Sequence, residues 1–258
     1  MEKITSFQNV LIKKAQALRE ASERRLQGMT IIDGAREIKR AFESGIGLTQ
    51  VFYVQGPQEM LMKQLINKKI ECIEVSDKVM EKIAYGERHE GIIALAKTPF
   101  FSLKDLKLSV HPLVVVLESL EKPGNLGAIL RTCDGVGVEA VLVCDPKTDV
   151  YNPNVIRAST GVIFNIPVVC ATPEEIASFL KLKKIKICAS APLAQKSYTQ
   201  ADFKGAWALV MGSEDKGLSD FWLKKADLTV KIPMKGIADS LNVSISAAII
   251  LYEALRQR

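Results

Sequence analysis

The sequence predicts an α/β protein of two domains, the larger second one built on a parallel sheet. Short apolar runs recur through its second half: Leu113–Leu117, Ala140–Cys144, Ile166–Cys170, Ile185–Ala189 and Ala208–Met211. Such runs suit strands covered on both faces. Helical segments fall between them, the order that builds a parallel sheet, and Val243–Arg258 reads as a terminal helix. The 258 residues suffice for two ordinary domains. Lys97–Pro112 has no periodicity and contains Pro99 and Pro112. The boundaries are therefore placed at 1–98, a linker at 99–112, and 113–258.

The first domain reads as a small α/β unit. Met29–Asp33, Gln50–Val54, Ile70–Val75 and Gly91–Ala96 are predicted strands. Ala35–Glu43, Gln58–Asn67 and Asp77–Ala84 are predicted helices, the last capped by Ser76. An amphipathic helix opens the chain, with Phe7, Val10, Leu11 and Leu18 near one face. Lys13, Lys14, Arg19, Arg24 and Arg25 then face solvent or a polyanion.

Composition narrows the classes. Hydrophobic residues make up 48% and charged residues 25%, as in soluble globular proteins. The net charge of +6 permits nucleic-acid binding without requiring it. The five cysteines form no C-x-x-C pair and read as reduced thiols. Two histidines, His89 and His111, leave few candidates for a zinc site or a Ser-His-Asp triad, and no metal is expected. No signal peptide or membrane-spanning run is read, so a cytoplasmic protein with no membrane partner is expected. Lys181–Lys186 reads as a solvated helix end. Gly135–Ala140 matches G-x-G-x-x-A, but a helix precedes it and a strand follows, the reverse of a dinucleotide site. It is read as a tight helix-to-strand turn.

Three segments carry the chemistry. Glu118–Thr132 (ESLEKPGNLGAILRT) follows a buried strand and opens a helix, with Asn125 a natural N-cap and Arg131 six residues on. Helix starts after parallel strands are where α/β sheets place ligands. Ala208–Ser219 (ALVMGSEDKGLS) runs a strand into Gly212, and Gly217 follows five residues later. The two glycines flank Glu214 in a backbone that turns closely around something, or in an ordinary loop. Ile232–Ser246 (IPMKGIADSLNVSIS) gathers Gly, Ser and Asn before the last helix, with Ser240 or Asn242 as cap.

Asn125, Arg131, Glu214 and the SLNVS stretch, in this order, resemble the three motifs of the SpoU/TrmH RNA methyltransferases. The resemblance covers the whole second domain, and Asn154–Gly161 (NVIRASTG) is similar to that family's connecting segment. More weakly, the first domain is similar to the family's substrate-binding domain, a ribosomal-protein-like RNA-binding fold, which the stretch RHEGIIAL from Arg88 would close. The chain departs from the pattern at Lys122, Cys133 and Asp215, where Asp, Ala and Gly are common.

The resemblance implies a deep C-terminal trefoil knot, built from the second and third motif loops and holding S-adenosylmethionine by the backbone of Gly212, Ile232 and Leu241. It implies a homodimer whose active site takes groups from both subunits. It implies an enzyme that methylates ribose 2'-hydroxyls of structured RNA, ribosomal RNA before transfer RNA. Arg131, Asn125, Glu214 and Asn242 are then the catalytic candidates. Arg157, Ser240, Lys13, Lys14, Arg24 and Arg25 are candidates for RNA contact. A guanidinium is almost never deprotonated, so Arg131 is expected as a clamp on the developing alkoxide and the adjacent phosphate. Asn125 and Asn242 would orient the ribose or that clamp, and Glu214 would hold Arg131 or Asn125. The alternatives are a catalytically inactive RNA-binding relative acting in ribosome assembly and an unrelated α/β enzyme acting on a small metabolite.

Overall fold

The computed structural model describes residues 3–56, 58–85 and 90–258. Arg88 and His89, where the first domain was expected to begin closing, lie outside them. The chain forms two compact units. Unit 1 is Met1–Pro99 with Tyr151–Asn165, and unit 2 is Phe100–Val150 with Ile166–Arg258.

Unit 1 contains helices α1 (Val10–Ala17), α2 (Ala21–Gln27), α3 (Ala35–Glu43), α4 (Glu59–Asn67) and α5 (Asp77–Ile83). Its strands are β1 (Met29–Asp33), β2 (Leu48–Tyr53), β3 (Glu71–Glu74) and β4 (Ile92–Lys97), in the order β1-β4-β2-β3. β4 runs antiparallel to both β1 and β2, and β3 is parallel to β2. Ser76 caps α5 as expected, its hydroxyl accepting the Val79 N–H at 3.3 Å.

The N-terminal helix differs from its expectation. It is two helices, because Arg24 folds its guanidinium back onto the carbonyls of Leu18 (2.9 Å) and Arg19 (2.7 Å), which end the first. The buried face is Ile12, Ala15 and Leu18, while Phe7 and Val10 are exposed. The buried residues follow an i, i+3, i+6 spacing that keeps Leu18 of the expected face, with Leu11 packed at its margin.

The excursion Tyr151–Asn165 adds a helix, Pro153–Ala158, and a 3-10 turn, Val162–Phe164. The helix packs on β1 and the turn on α3. Thr30 donates to the Tyr151 carbonyl at 2.9 Å, and Arg40 donates to both the carbonyl and the hydroxyl of Thr160 at 2.6 Å. Gly161 sits at φ +82, where a Cβ would lie 3.0 Å from the Glu37 Cα. Both the backbone conformation and the close approach demand glycine.

Unit 2 is a seven-stranded parallel sheet ordered β7-β6-β5-β10-β8-β11-β9. The strands are β5 (Leu113–Glu118), β6 (Ala140–Cys144), β7 (Val168–Cys170), β8 (Lys186–Ser190), β9 (Lys196–Ser197), β10 (Trp207–Met211) and β11 (Leu228–Lys231). Counting the excursion helix as α7, the remaining helices are α6 (Pro123–Val136), α8 (Pro173–Leu182), α9 (Asp220–Lys225) and α10 (Val243–Gln257). α6 and α10 pack on each other, and α10 also packs on β10. α8 and α9 bring Ile176, Phe179, Leu180 and Trp222 onto a core containing Val114, Val116, Leu142, Ile187 and Val210. Gly137 ends α6 in the left-handed conformation at φ +75. Gly135 lies within that helix, so the G-x-G-x-x-A stretch is a helix stop followed by β6.

The segment expected as a linker is part of unit 2. Leu106 is 6% exposed in the core, with Phe101, Leu103 and Leu108 packed against it. Ser109 is tied to the Glu139 carboxylate through its N–H (2.7 Å) and its hydroxyl (2.6 Å). The spacing has no period because a 3-10 turn, Leu103–Asp105, replaces a helix or strand. Leu106→Ala in the full chain is expected to cost about 2–5 kcal/mol of stability. Urea denaturation measures it, and an unchanged midpoint would restore the linker assignment.

Candidate active site

The three motif segments meet at one edge of the unit 2 sheet. β5, β10 and β11 are parallel and release their chains at Glu118, Met211 and Lys231. Each motif begins there, at the carboxyl ends of strands where open α/β sheets bind ligands.

Asn125 joins the three motifs. Its Nδ2 donates to Glu214 Oε1 at 2.6 Å, linking the first segment to the second. Its Oδ1 accepts from Asn242 Nδ2 at 3.2 Å, linking the first to the third. Asn125 is not the helix cap: α6 begins at Pro123, with Lys122 at the cap position. Proline favours the first helical position, which moves the start three residues earlier and turns the Asn125 side chain to tertiary use. Asn242 is both the cap of the last helix and a link to the first motif. Its Oδ1 caps α10 by accepting the Ser244 N–H (2.9 Å) and hydroxyl (2.7 Å), and its amide nitrogen reaches Asn125.

Glu214 is half-buried. Burial alone would push its carboxyl up, but hydrogen bonds from the Asn125 side chain and from backbone N–H groups of Glu214, Glu121 and Lys122 outweigh it. The carboxyl is held below its ordinary value, so it is ionised at neutral pH. With a lowered folded value, the stabilisation is present above the ordinary carboxylate range and is lost as pH falls through the lowered value. Asn125→Ala should move the Glu214 carboxyl upward in an NMR titration. An unmoved titration would show that the pair is not coupled.

The second motif is a tight loop. Ser213 and Gly217 exchange backbone hydrogen bonds at 3.0 and 3.1 Å, and Gly217 turns at φ +67. A Cβ on Gly212 would lie 2.1 Å from the Gly217 carbonyl carbon and 2.4 Å from the Leu218 nitrogen. The loop folds directly over the bare glycine. Glu118, which sequence reasoning passed over, holds the loop's far end. This carboxylate is 6% exposed and accepts the Ser219 N–H (2.8 Å) and hydroxyl (2.6 Å). Its signal was present in the sequence, as an acid ending a run of apolar residues.

In the third motif, Pro233–Ser240 is exposed, while Ile232 and Leu241 are partly buried. Among the described residues, no backbone group from Ile232 to Leu241 has a backbone hydrogen-bond partner. Its N–H and C=O groups are open to a ligand.

Arg131 is not brought to this cluster. Six residues past Asn125, it is turned about 240° around the helix and roughly 9 Å along it. It is exposed and has no hydrogen-bond or ion-pair partner among the described residues. Within one chain Glu214 therefore holds Asn125 and not Arg131.

The expected RNA contacts divide. Lys13 and Arg25 are exposed and Lys14 partly so. Arg24 is 3% exposed and committed to the α1–α2 break, so it is withdrawn as an RNA contact. Arg157 braces unit 1, at 3.8 Å from the buried Asp33 carboxylate and donating to the Tyr85 carbonyl. Three cysteines are buried, and desolvation pushes Cys144 and Cys188 to about 12 and Cys133 higher still. These thiols are inert at neutral pH. No group of three metal-ligating side chains occurs among the described residues, nor is any helix among them long and apolar enough to cross a membrane.

Residues 112–252 match the sequence model of the SpoU rRNA Methylase family, and residues 9–94 match that of the MRM3-like substrate binding domain. The chain is 28% identical over 252 residues to the 23S rRNA (guanosine(2553)-2'-O)-methyltransferase RlmP of Bacillus subtilis, covering 98% of each protein. A solved RNA 2'-O ribose methyltransferase is 41% identical, with a TM-score of 0.87 over 99% of both chains. The AdoMet-bound rRNA methyltransferase from Sinorhizobium meliloti is 26% identical, with a TM-score of 0.91 over 99% of this chain and 97% of its own.

Proposed function

Because the chain belongs to the SpoU rRNA methylase family, we propose that it transfers a methyl group from S-adenosylmethionine to a ribose 2'-hydroxyl of ribosomal RNA. The observation that carries this is the Asn242–Asn125–Glu214 chain, which ties all three motifs into one site at the strand ends.

The residues present fit the cofactor. The unpaired backbone of Ile232–Leu241 and the glycine loop at Gly212 offer main-chain groups without side-chain obstruction, and Ile232 and Leu241 add apolar surface. Gly212, Ile232 and Leu241 would hold it. When bound, it supplies an electrophilic methyl group, and no metal is needed. The chain's own residues position the ribose oxygen in line and stabilise charge on it. Ionised Glu214 fixes Asn125, and Asn125 fixes Asn242, so two amides are pre-oriented toward the ribose. Arg131 is the clamp on the developing alkoxide and the neighbouring phosphate.

Arg131 points away from its own Asn125–Glu214 pair, so the chain acts as a homodimer in which Arg131 serves the site of a second copy. Ile245, Tyr252 and Leu255, exposed on α10, supply apolar surface for that contact. We further read the second and third motif loops as the trefoil knot of the family, unit 1 as the substrate-binding domain with Lys13, Lys14 and Arg25 available to RNA, Ser240 of the third motif as a further RNA contact, and the cytoplasm as the location. Ribosomal RNA is preferred to transfer RNA because a substrate-binding unit precedes the catalytic one.

The test compares ribose methylation across all RNAs in cells with and without the gene, together with labelled methyl transfer by the pure protein. One ribosomal 2'-O-methyl group should disappear and be restored in vitro. A methylation map unchanged by deletion would overturn the assignment.

A further inference from the structure

The unit 2 sheet has a second edge, at the amino ends of its strands and away from the motif loops. There Lys186 opens β8, Trp207 opens β10, and Asp227 immediately precedes β11. From this edge a cleft of about 630 Å³ runs along α8 and α9, from Glu174 and Phe221 near their starts to Lys181 and Lys225 in their last turns. Four lysines line it: Lys181, Lys184, Lys186 and Lys225. All four are exposed, and none makes an ion pair among the described residues.

We propose that this cleft binds the phosphate backbone of the RNA substrate at a distance from the reacting ribose. The proposal rests on the reading that the substrate is RNA.

The cleft is more than a solvated helix end. Lys181 and Lys225 lie in last turns, where a cation offsets the helix dipole. Lys184 and Lys186 lie beyond α8 and have no such duty. Lys186 is held over the Trp207 ring, with Nζ 5.4 Å from the centroid. Two carboxylates also line the cleft, Glu174 and Asp227. Asp227 is committed, accepting the Ile187 N–H at 2.8 Å. The lysines outnumber the acids, leaving the cleft positive.

Phe221 gives the cleft an aromatic wall. Its ring is fixed edge-on against buried Trp222 at 5.3 Å between centroids. Unpaired lysines around a fixed aromatic face suit single-stranded nucleic acid, whose phosphates meet the cations while a base stacks on the ring. A folded acidic protein would instead present carboxylates in a pattern set by its own surface. The cleft lies on the α8–α9 face, opposite α6 and α10, so a second copy seated on α10 leaves it open. Five residues of β8 separate the two edges, roughly 15 Å, a span a few nucleotides can cross.

The experiment uses the full-length protein with Lys181→Gln, Lys184→Gln, Lys186→Gln and Lys225→Gln combined. Binding of a ribosomal RNA transcript is measured across a range of salt. Cofactor affinity and the single-turnover rate at saturating RNA are measured alongside. Four lost phosphate contacts should make the log–log salt slope shallower by about three units. RNA affinity at physiological ionic strength should fall about tenfold or more. Cofactor affinity and the saturating rate should not change. The matching Lys→Arg set should retain the wild-type slope. A control set, Lys104→Gln, Lys107→Gln, Lys196→Gln and Lys204→Gln, removes the same charge from exposed positions of unit 2 outside the cleft.

A wild-type slope in the first set, or an equal shift in the control set, overturns the cleft as an RNA contact even if wild-type protein methylates RNA. Conversely, RNA binding that depends on the four lysines in a protein that transfers no methyl group would leave the cleft standing and remove the enzymatic assignment.

Discussion

Gly212→Val is expected to weaken cofactor binding at least a hundredfold and to abolish methyl transfer. Sequence reasoning alone would place the clash with the ligand, but the geometry places it earlier. Any Cβ at this position meets the backbone of Gly217 and Leu218 at 2.1–2.4 Å, and backbone cannot rotate aside as a flexible side chain can. The Ser213–Gly217 loop must open, carrying Glu214 away from Asn125. Overpacking of this kind costs about 1–3 kcal/mol or more. Gly212→Ala should therefore share most of the defect, and the branched methyls of valine should add less than the first carbon does. Calorimetric titration with S-adenosylmethionine, paired with a thermal melt, reads both variants. Wild-type affinity in either would show that the loop does not form the pocket.

Arg131→Ala is expected to lower the methyl-transfer rate by a factor of about a hundred to a thousand, the scale of losing one donor to a developing oxyanion. Cofactor affinity should be unaffected, because Arg131 is exposed on α6 and makes no hydrogen bond or ion pair to the motif loops among the described residues. Arg131→Lys should recover little, since an ammonium lacks the planar fork that can engage alkoxide and phosphate together. Because the side chain faces away from its own Asn125–Glu214 pair, subunit mixing distinguishes a shared site from a self-contained one. Arg131→Ala mixed with a cofactor-binding variant should regain part of the activity through hybrid dimers. Failure of the mixture, with dimers exchanging freely, would return Arg131 to its own subunit's site.

The parallel sheet was legible because its strands are apolar on both faces; Leu113–Leu117, Ala140–Cys144 and Ala208–Met211 all fall within observed strands. β9 and β11 were missed because short strands near the sheet edge, such as Leu228–Lys231, lose the continuous apolar signal. The site was legible as a set of motifs but not as a geometry. Neither the Asn125 bridge nor the outward-facing Arg131 follows from spacing until the helix start is known, and Pro123 was the residue that announced it. Arg24 illustrates a different limit. A guanidinium reads as surface charge, and its burial depends on two carbonyls exposed by a helix break that periodicity alone did not reveal. Leu106 is the same problem inverted, an apolar residue in aperiodic chain whose packing is wholly tertiary.

The excursion Tyr151–Asn165 gives the order of synthesis a role. When Pro99 leaves the ribosome, unit 1 still lacks the helix that packs on β1, the turn that packs on α3, the partners of Thr30 and Arg40, and the Arg157 guanidinium beside Asp33. Those arrive only after β5 and β6 have been made, so the amino-terminal unit completes its fold late despite coming first in the sequence. The same holds for anyone grafting this unit onto another protein. A transplant ending at residue 99 carries an open flank over β1, and a working module consists of two separate stretches of chain.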